Sequence, residues 1–169
     1  MWRTGRTPSA STALWVVSTD VTAFDWRFAS PSEADFEPLL AIRIEVMREH
    51  LERVFRYEPL RARSIFRAHF DEPGLRLIMV DGRRAGCVGF RTGTDCLKID
   101  SFYLERRYHD CGLGTAILKV LLAEADKSRL PVRLEVLSGS RADRLYLRHG
   151  FVKVREDEIE AEFERPIPA

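Results

Sequence analysis

The sequence predicts an α/β fold in which helices pack on both faces of a mixed, mostly antiparallel sheet. Seven short segments are predicted strands, some of them alternating apolar and polar residues, and four segments repeat apolar residues at helical spacing. Their order along the chain is β-α-α-β-β-β-α-β-α-β-β. Because helices interrupt the strands both early and late, we expect the sheet to be covered on two sides.

The first half of the chain contains three predicted strands and two predicted helices. The strands cover 25–29, 75–80 and 85–91, and Asp81-Gly82 is the hairpin turn between the last two. Ser32 and Asp35 resemble a capping box at the start of the first helix. Apolar residues then follow at helical spacing, namely Phe36, Leu39, Leu40, Val46, Met47 and Leu51. The second helix covers 60–70.

The second half begins with a strand over 97–104. Its alternation places Leu97, Ile99, Ser101 and Tyr103 on one face. A turn that contains two glycines leads from this strand into a helix that runs to residue 125. A strand over 132–137, a short helix over 142–149 and strands over 151–154 and 159–163 complete the predicted sheet.

Composition indicates one globular domain over 23–169, preceded by a tail over 1–22. The chain is 45% hydrophobic, and its balanced charge, a net +1, does not suggest the basic face that a nucleic-acid partner would need. No apolar run reaches membrane-spanning length. Cys87, Cys96 and Cys111 lack metal-ligand spacing, so no metal is expected, and such cysteine usage is typical of the cytoplasm. The acid-poor residues 1–19 resemble a transit peptide, although an ordinary tail is the simpler interpretation.

The segment from Tyr103 to Gly114 joins a strand to a helix through a tight turn. Its sequence is Tyr-Leu-Glu-Arg-Arg-Tyr-His-Asp-Cys-Gly-Leu-Gly. Glycines let backbone approach a ligand closely, and the first turn of a helix offers N–H groups at the positive end of its dipole. This arrangement suits a pyrophosphate, although two glycines also serve simply to shape a connection.

A second segment, from Ala142 to Phe151, has the sequence Ala-Asp-Arg-Leu-Tyr-Leu-Arg-His-Gly-Phe. Ala142, Leu145 and Tyr146 share one helical face, and Gly150 ends the helix before the next strand. By itself this pattern leaves two interpretations of Tyr146 open. It is either a half-buried core aromatic or a functional hydroxyl.

Together, in this order and with a strand between them, the two segments resemble the acyl-CoA-binding and thiolate-release motifs of the GNAT family of N-acetyltransferases. His109 stands at the family's Gln or Arg position, and Gly112 and Gly114 stand at its glycine positions. Asp110 and Cys111 depart from the pattern, which favours a small and a basic residue there.

Asp110 places a negative charge near the expected phosphates. Arg106 and Arg107, just upstream, are candidates to compensate it. The element order of the family matches the predicted order, and the resemblance covers roughly residues 25–166. It therefore implies the acyl-CoA N-acyltransferase fold for nearly the whole chain.

The resemblance also implies acetyl-CoA as cosubstrate. Backbone groups of 102–104 would hold the pantetheine arm and polarise the thioester, and N–H groups of 110–115 would hold the pyrophosphate. The implied cofactor-binding residues are Phe102, Tyr103, Leu104, His109, Asp110, Cys111, Gly112, Leu113, Gly114, Thr115 and Ser140. Ser140 or Gly139 stands where the family has Asn.

The implied reaction is direct attack of a primary amine on the thioester within a ternary complex. Tyr146 would protonate the leaving thiolate, and Asp100 or Glu135 would take the proton of the amine. The acceptor is expected to be a small-molecule amine or a protein amine, and a homodimer is left open.

Three alternatives accompany this interpretation. The altered motif is also typical of a domain that keeps the fold, loses catalysis and serves as a binding or regulatory module. Cys111 with His109 or His149 would suit a cysteine–histidine hydrolase. Charged residues on the first helix would suit contacts with the acceptor, although a solvated helix face is the commoner explanation. They are Arg43, Glu45, Arg48 and His50.

Overall fold

The computed structural model describes residues 24–54 and 58–169, which form one seven-stranded sheet and four α-helices. The elements are β1 (Trp26–Ala29), α1 (Phe36–Val54), α2 (Pro59–Asp71), β2 (Leu75–Val80), β3 (Arg83–Thr92), β4 (Leu97–Leu104), α3 (Leu113–Ser128), β5 (Val132–Leu137), α4 (Asp143–Arg148), β6 (Val152–Glu156) and β7 (Glu160–Arg165). Their order confirms the predicted one. The expected tail over 1–22 lies outside the described residues, as does the side chain of Leu51.

The strands are ordered β1-β2-β3-β4-β5-β7-β6, and all neighbours are antiparallel except β4 and β5. These two strands pair in parallel over three positions only, from Leu97 opposite Val132 to Ile99 opposite Leu134. Beyond Ile99, β4 remains paired with β3 and β5 with β7, so a gap opens between β4 and β5. The mixed, mostly antiparallel sheet is confirmed.

Helices cover both faces of the sheet, as predicted. On one face, Phe36 of α1 and Phe66 of α2 are buried with Leu77 of β2. On the other face, α3 buries Ile117 and Leu121, and α4 packs beside it. The gap between β4 and β5 is therefore reached from both helical layers. Within the described ranges, no helix has the length and apolarity needed to cross a membrane.

Two predicted local structures are confirmed. The backbone N–H of Ser32 donates to Oδ2 of Asp35 over 2.7 Å, which closes a capping box ahead of α1. Asp81 and Gly82 have φ of 48° and 74°, the left-handed values that a two-residue hairpin turn requires. Because so short a turn lets pairing continue up to it, β3 begins at Arg83, two residues earlier than predicted.

Ser101 interrupts β4 with a β-bulge. Its φ is 47°, and the register with β3 shifts beside it. The extra residue reverses the alternation, so Leu97 and Ile99 pack towards α3 whereas Tyr103 packs towards α1 and α2. There the ring of Tyr103 lies 6.4 Å from that of Phe66. The prediction that Tyr103 shares a face with Leu97 and Ile99 is wrong, because simple alternation assumes an unbroken strand.

Candidate active site

A groove of about 1740 Å³ opens where β4 and β5 separate. It extends from the N-terminus of α3, along the edge of β4, to side chains of α1 and α2. Most predicted site residues line it, namely Asp100, Phe102, Tyr103, Leu104, His109, Asp110, Gly112, Gly114, Thr115, Glu135, Ser140 and Tyr146. Leu113 is instead buried in the core, and Cys111 is not among the lining residues.

The N-terminus of α3 forms one end of the groove. Gly112 caps the helix with φ of 88°, a left-handed conformation that favours glycine. The N–H of Ala116 donates to the carbonyl of Gly112 over 3.0 Å, which is the first bond of the helix. A β-carbon on Gly112 would meet no atom within 4 Å, so the space beside this turn is open. The N–H groups at this end therefore face room for an anion.

The negative charge of Asp110 is paired, but not with the arginines that the sequence suggests. Its Oδ2 lies 3.6 Å from Nη2 of Arg141, in the loop before α4. Arg106 instead pairs with carboxylates of α1, and Arg107 pairs with Glu105 over 2.6 Å. Both side chains of the Asp110–Arg141 pair are exposed, so their attraction is weak and sensitive to salt.

The candidate cysteine nucleophile has no catalytic partner among the described residues. Sγ of Cys111, Nε2 of His109 and Nδ1 of His149 lie 3.0, 2.8 and 2.7 Å from backbone carbonyl oxygens, and none of the three side chains bonds to another. The cysteine–histidine hydrolase is therefore not supported. No group of three or more metal-ligating side chains comes together in the described part of the chain either.

Contacts with β3 hold the backbone of β4 in place at and just after its bulge, in the middle of the groove. Gly86 of β3 lies so close that a β-carbon there would be 1.9 Å from the carbonyl oxygen of Tyr103. Beneath the bulge, Sγ of Cys87 donates to the carbonyl of Ser101 over 3.3 Å, and burial raises the pKa of this thiol to about 12. The backbone of 102–104 is thus held on the β3 side, while its other edge has no strand partner among the described residues.

Tyr146 of α4 lines the groove and is buried, with 5% of its surface exposed. Its ring lies 5.6 Å from that of Phe151, at 67°. Burial raises the pKa of the Tyr146 phenol above its usual value, and the nearby Tyr103 and Asp143 add to the rise. The hydroxyl is therefore protonated at neutral pH. Ser140 also lines the groove, and its Oγ accepts a hydrogen bond from the N–H of Ala142 over 3.2 Å.

Asp100 and Glu135 directly follow the last parallel pair of β4 and β5. Their side chains lie on the sheet face opposite to that of Ile99 and Leu134, which pack towards α3. Asp100 accepts two hydrogen bonds from Arg91, at 2.7 and 3.2 Å. Glu135 is exposed within the groove. The two predicted base candidates thus both line the groove, and Arg91 holds Asp100 by two hydrogen bonds.

The sequence analysis missed two features of the groove, the burial of Arg43 and the position of His69. Arg43 is 6% exposed, although a solvated helix face was expected for it. His69 of α2 lies with Nδ1 3.8 Å from Oδ1 of Asp100, and this nitrogen is buried without a hydrogen-bond partner among the described residues. Helical periodicity gives α1 an apolar side and a polar side, but it does not show that α2 covers a charged residue. No sequence signal marks His69.

Comparisons with known proteins agree with this geometry. A family model described as the acetyltransferase (GNAT) family matches residues 41–151. No curated protein matches the chain. Solved structures that resemble it include PaiA N-acetyltransferase from Thermoplasma acidophilum in complex with coenzyme A, with 16% identity, a TM-score of 0.65 and coverage of 84% of this chain and 99% of that one.

Two further structures show the same fold. An acetyltransferase from Thermus thermophilus has 15% identity, a TM-score of 0.66 and coverage of 84% and 97% of the two chains. The ribosomal-protein-S18-alanine N-acetyltransferase from Escherichia coli has 19% identity, a TM-score of 0.61 and coverage of 85% and 95%. Identities this low establish the fold alone, whereas the family model spans well over half of the chain. The protein belongs to the GNAT family of acetyltransferases.

Proposed function

We propose that this protein transfers the acetyl group of acetyl-CoA to a primary amine within a ternary complex. The observation that carries the proposal is the groove between β4 and β5. It joins an open helix N-terminus, a buried tyrosine and a strand edge that has no strand partner within residues 24–54 and 58–169. The family and the coenzyme A complex of a structural neighbour support a CoA thioester as cosubstrate.

The donor would lie along β4 and end at α3. Its pyrophosphate would accept hydrogen bonds from the N–H groups of 110–115, where the helix dipole also favours negative charge. Its pantetheine arm carries amides, which can pair with the free edge of 102–104 as another strand would. A backbone N–H at the bulge would polarise the thioester carbonyl as negative charge develops on its oxygen.

The reaction requires one bond to form and one to break at the same carbon. The amine nitrogen attacks the thioester carbonyl carbon, and the carbon–sulfur bond then breaks to give the amide and the CoA thiolate. The amine loses one proton and the thiolate gains one. Because both reactants are held in one groove, positioning supplies much of the rate.

Tyr146 would serve the leaving group. Its hydroxyl is protonated at neutral pH because burial raises its pKa, so it can donate to sulfur as charge builds there. Ser140, at the position where the family has Asn, would contact the donor from the loop before α4.

Glu135 would take the proton of the amine, directly or through a water molecule. It is exposed in the groove and has no ion pair among the described residues. Asp100, the other candidate, already accepts two hydrogen bonds from Arg91. We therefore assign the base to Glu135 and a positioning role to Asp100.

A domain that binds without catalysis is the second candidate, because Asp110 places a carboxylate beside the proposed phosphate site. Calorimetry with acetyl-CoA and assays of free thiol with a panel of amines separate the candidates. We expect binding and amine-dependent thiol release for the enzyme, and binding without release for the module. If the protein shows neither acetyl-CoA binding nor thiol release, both candidate functions are contradicted.

Gly112→Glu provides the matched test of the site, because it fills the open turn with side chain and charge. We expect it to abolish acetyl-CoA binding. Gly82→Glu is the control, since Gly82 also has positive φ, also faces open space and lies in the β2–β3 turn, outside the groove. Unchanged affinity in a folded Gly112→Glu protein would remove the turn from the cofactor site.

A further inference from the structure

Arg43 is a buried guanidinium at the end of the groove that α1 and α2 line, away from the proposed donor site at α3, which we call the acceptor side. It lies on α1, is 6% exposed and lines the groove together with Tyr103 of β4 and Ala62 of α2. Its Nε donates to the hydroxyl of Tyr103 and its Nη1 to the carbonyl of Ala62, each over 3.3 Å. Both partners are neutral, so they satisfy part of the hydrogen-bonding capacity of Arg43, and its charge gains only a weak cation–π contact with the Tyr103 ring, 5.9 Å from Cζ.

Other buried charges in the described part of the chain are paired. Asp35 accepts a hydrogen bond from Nε of Arg84 over 3.0 Å. Arg91, 7% exposed, is bonded to Asp100 and to three backbone carbonyls. Arg43 has no ion pair with any described carboxylate, and the nearby Asp100 is already engaged by Arg91.

An uncompensated buried charge costs free energy, and a guanidinium does not lose its proton to escape that cost. Two of the five N–H groups of Arg43 have acceptors among the described residues, which leaves the rest for a ligand in the groove. A guanidinium presents these groups as a planar fork that fits both oxygens of a carboxylate. An anion that enters from the groove would complete the environment of Arg43.

Tyr103 places this anion site next to the reaction. Its hydroxyl contacts Arg43, and its backbone belongs to the strand edge proposed to hold the thioester. A ligand on Arg43 would therefore lie on the acceptor side, on the same residue of β4 whose backbone is proposed to hold the thioester. The anion and the reacting amine would then belong to one small molecule.

We propose that the acceptor is an amino acid, whose carboxylate binds Arg43 while its amine attacks the thioester. The proposal rests on the proposed acetyl transfer and names its substrate class. It excludes acceptors with no carboxylate near the amine, including simple polyamines and the N-termini of proteins, where the carboxylate has become a peptide bond.

The test compares matched acceptors with acetyl-CoA and the full chain. Each L-amino acid of a panel is assayed beside its C-terminal amide and its decarboxylated amine, and free thiol is measured. We expect kcat/KM for at least one amino acid to exceed that of its amide by tenfold or more. Higher kcat/KM for the amides, the decarboxylated amines or neutral peptides would overturn the proposal.

Arg43→Gln should lower kcat/KM for the amino acid about 100-fold, mainly through KM, and remove its preference over the amide. The Kd of acetyl-CoA should not change. Arg43→Lys keeps the charge but loses the fork, so it should recover only part of the affinity. The control is Arg48→Gln, on the same helix but exposed and outside the groove. A retained preference in Arg43→Gln would contradict the proposal.

A binding measurement covers the case in which Arg43→Gln does not fold or turnover is slow. Calorimetry of the wild-type protein saturated with CoA should detect the amino acid and not its amide. Binding of the amide alone, or of neither, would overturn the assignment of the acceptor. Failure of acetyl-CoA itself to bind would be seen separately and would instead contradict the proposed function.

Discussion

Arg91 holds Asp100 where β4 and β5 part, with Nε donating to Oδ2 over 2.7 Å and Nη2 to Oδ1 over 3.2 Å. The same guanidinium donates to backbone carbonyls at the end of α2 and in the turn that follows, those of His69, Glu72 and Pro73. It therefore ties the end of α2 to the strand at the centre of the groove. The pair is part of the scaffold of the site.

Asp100→Asn should accordingly lower the free energy of unfolding more than it lowers kcat. The change leaves buried Arg91 with only the exposed carboxylate of Glu72, 3.6 Å from Nε, as a counter-charge. It should cost about 2–4 kcal/mol, below the value for a fully buried pair because the Asp100 side chain keeps 20% exposure. Urea unfolding measures the free energy. A stable Asp100→Asn protein with severely reduced kcat would instead return Asp100 to the role of base.

Glu135→Gln should show the opposite pattern. Its side chain is exposed, so stability should change by less than about 0.5 kcal/mol, whereas kcat should fall roughly 100- to 10,000-fold if Glu135 takes the proton of the amine. The control is Glu162→Gln, whose residue lies opposite Glu135 on β7 but outside the groove. Equal effects of the two substitutions on kcat would argue against Glu135 as the base.

Gly86→Ala tests the close approach of β3 to the bulge. The new β-carbon would lie 1.9 Å from the carbonyl oxygen of Tyr103, and backbone cannot rotate away as a side chain can. We expect a loss near or above the upper end of the usual range of about 1–3 kcal/mol for overpacking. Gly114→Ala is the control for stability, because its nearest contacts lie at 3.9 Å. Equal unfolding free energies for the two variants would show that β4 adjusts freely.

Local patterns in the sequence predicted the elements well, since β2, β4 and β5 begin and end at the predicted residues. The capping box and the Asp81-Gly82 turn were also predictable, because each depends on neighbouring residues only. The bulge at Ser101 was not, because serine carries no signal for a left-handed φ.

Charge pairing was the less predictable part of the site. Proximity in sequence favoured Arg106 and Arg107 as partners of Asp110, yet the fold brings Arg141, which is distant in sequence, next to it. The burial of Arg43 under α2 depends likewise on how two helices pack. Both facts are tertiary, and a single sequence contains no record of them.

Asp110→Gly should tighten the binding of acetyl-CoA. It removes a negative charge beside the proposed pyrophosphate site, frees Arg141 from its pair and places glycine at a φ of 54°, which glycine adopts without strain. Calorimetry at low and at high salt should show the gain mainly at low salt, because both charges are exposed. Weaker binding at low salt would mean that Asp110 supports the turn rather than repelling the cofactor.

Tyr146→Phe isolates the hydroxyl proposed to protonate the CoA thiolate. The ring remains, so its packing on Phe151 should persist and the melting temperature should stay close to that of the wild type. The kcat should fall roughly ten- to a thousand-fold, within or near the usual range for one positioned acid. The Kd of acetyl-CoA should barely change, since the lost interaction strengthens only as charge develops on sulfur.

The pH dependence of the same pair of proteins adds a second readout. Burial raises the pKa of Tyr146 above its ordinary value of 10.0, so the phenol keeps its proton at every lower pH. Below pH 10 the wild-type kcat should therefore show no alkaline decline caused by Tyr146, and the ratio of wild type to Tyr146→Phe should stay constant. A ratio that falls towards one between about pH 7 and 9 would mean that the hydroxyl ionises earlier and is poorly suited as the acid. Full activity of Tyr146→Phe at all pH values would leave Tyr146 as a core aromatic, and the proton for sulfur would then come from water or Ser140.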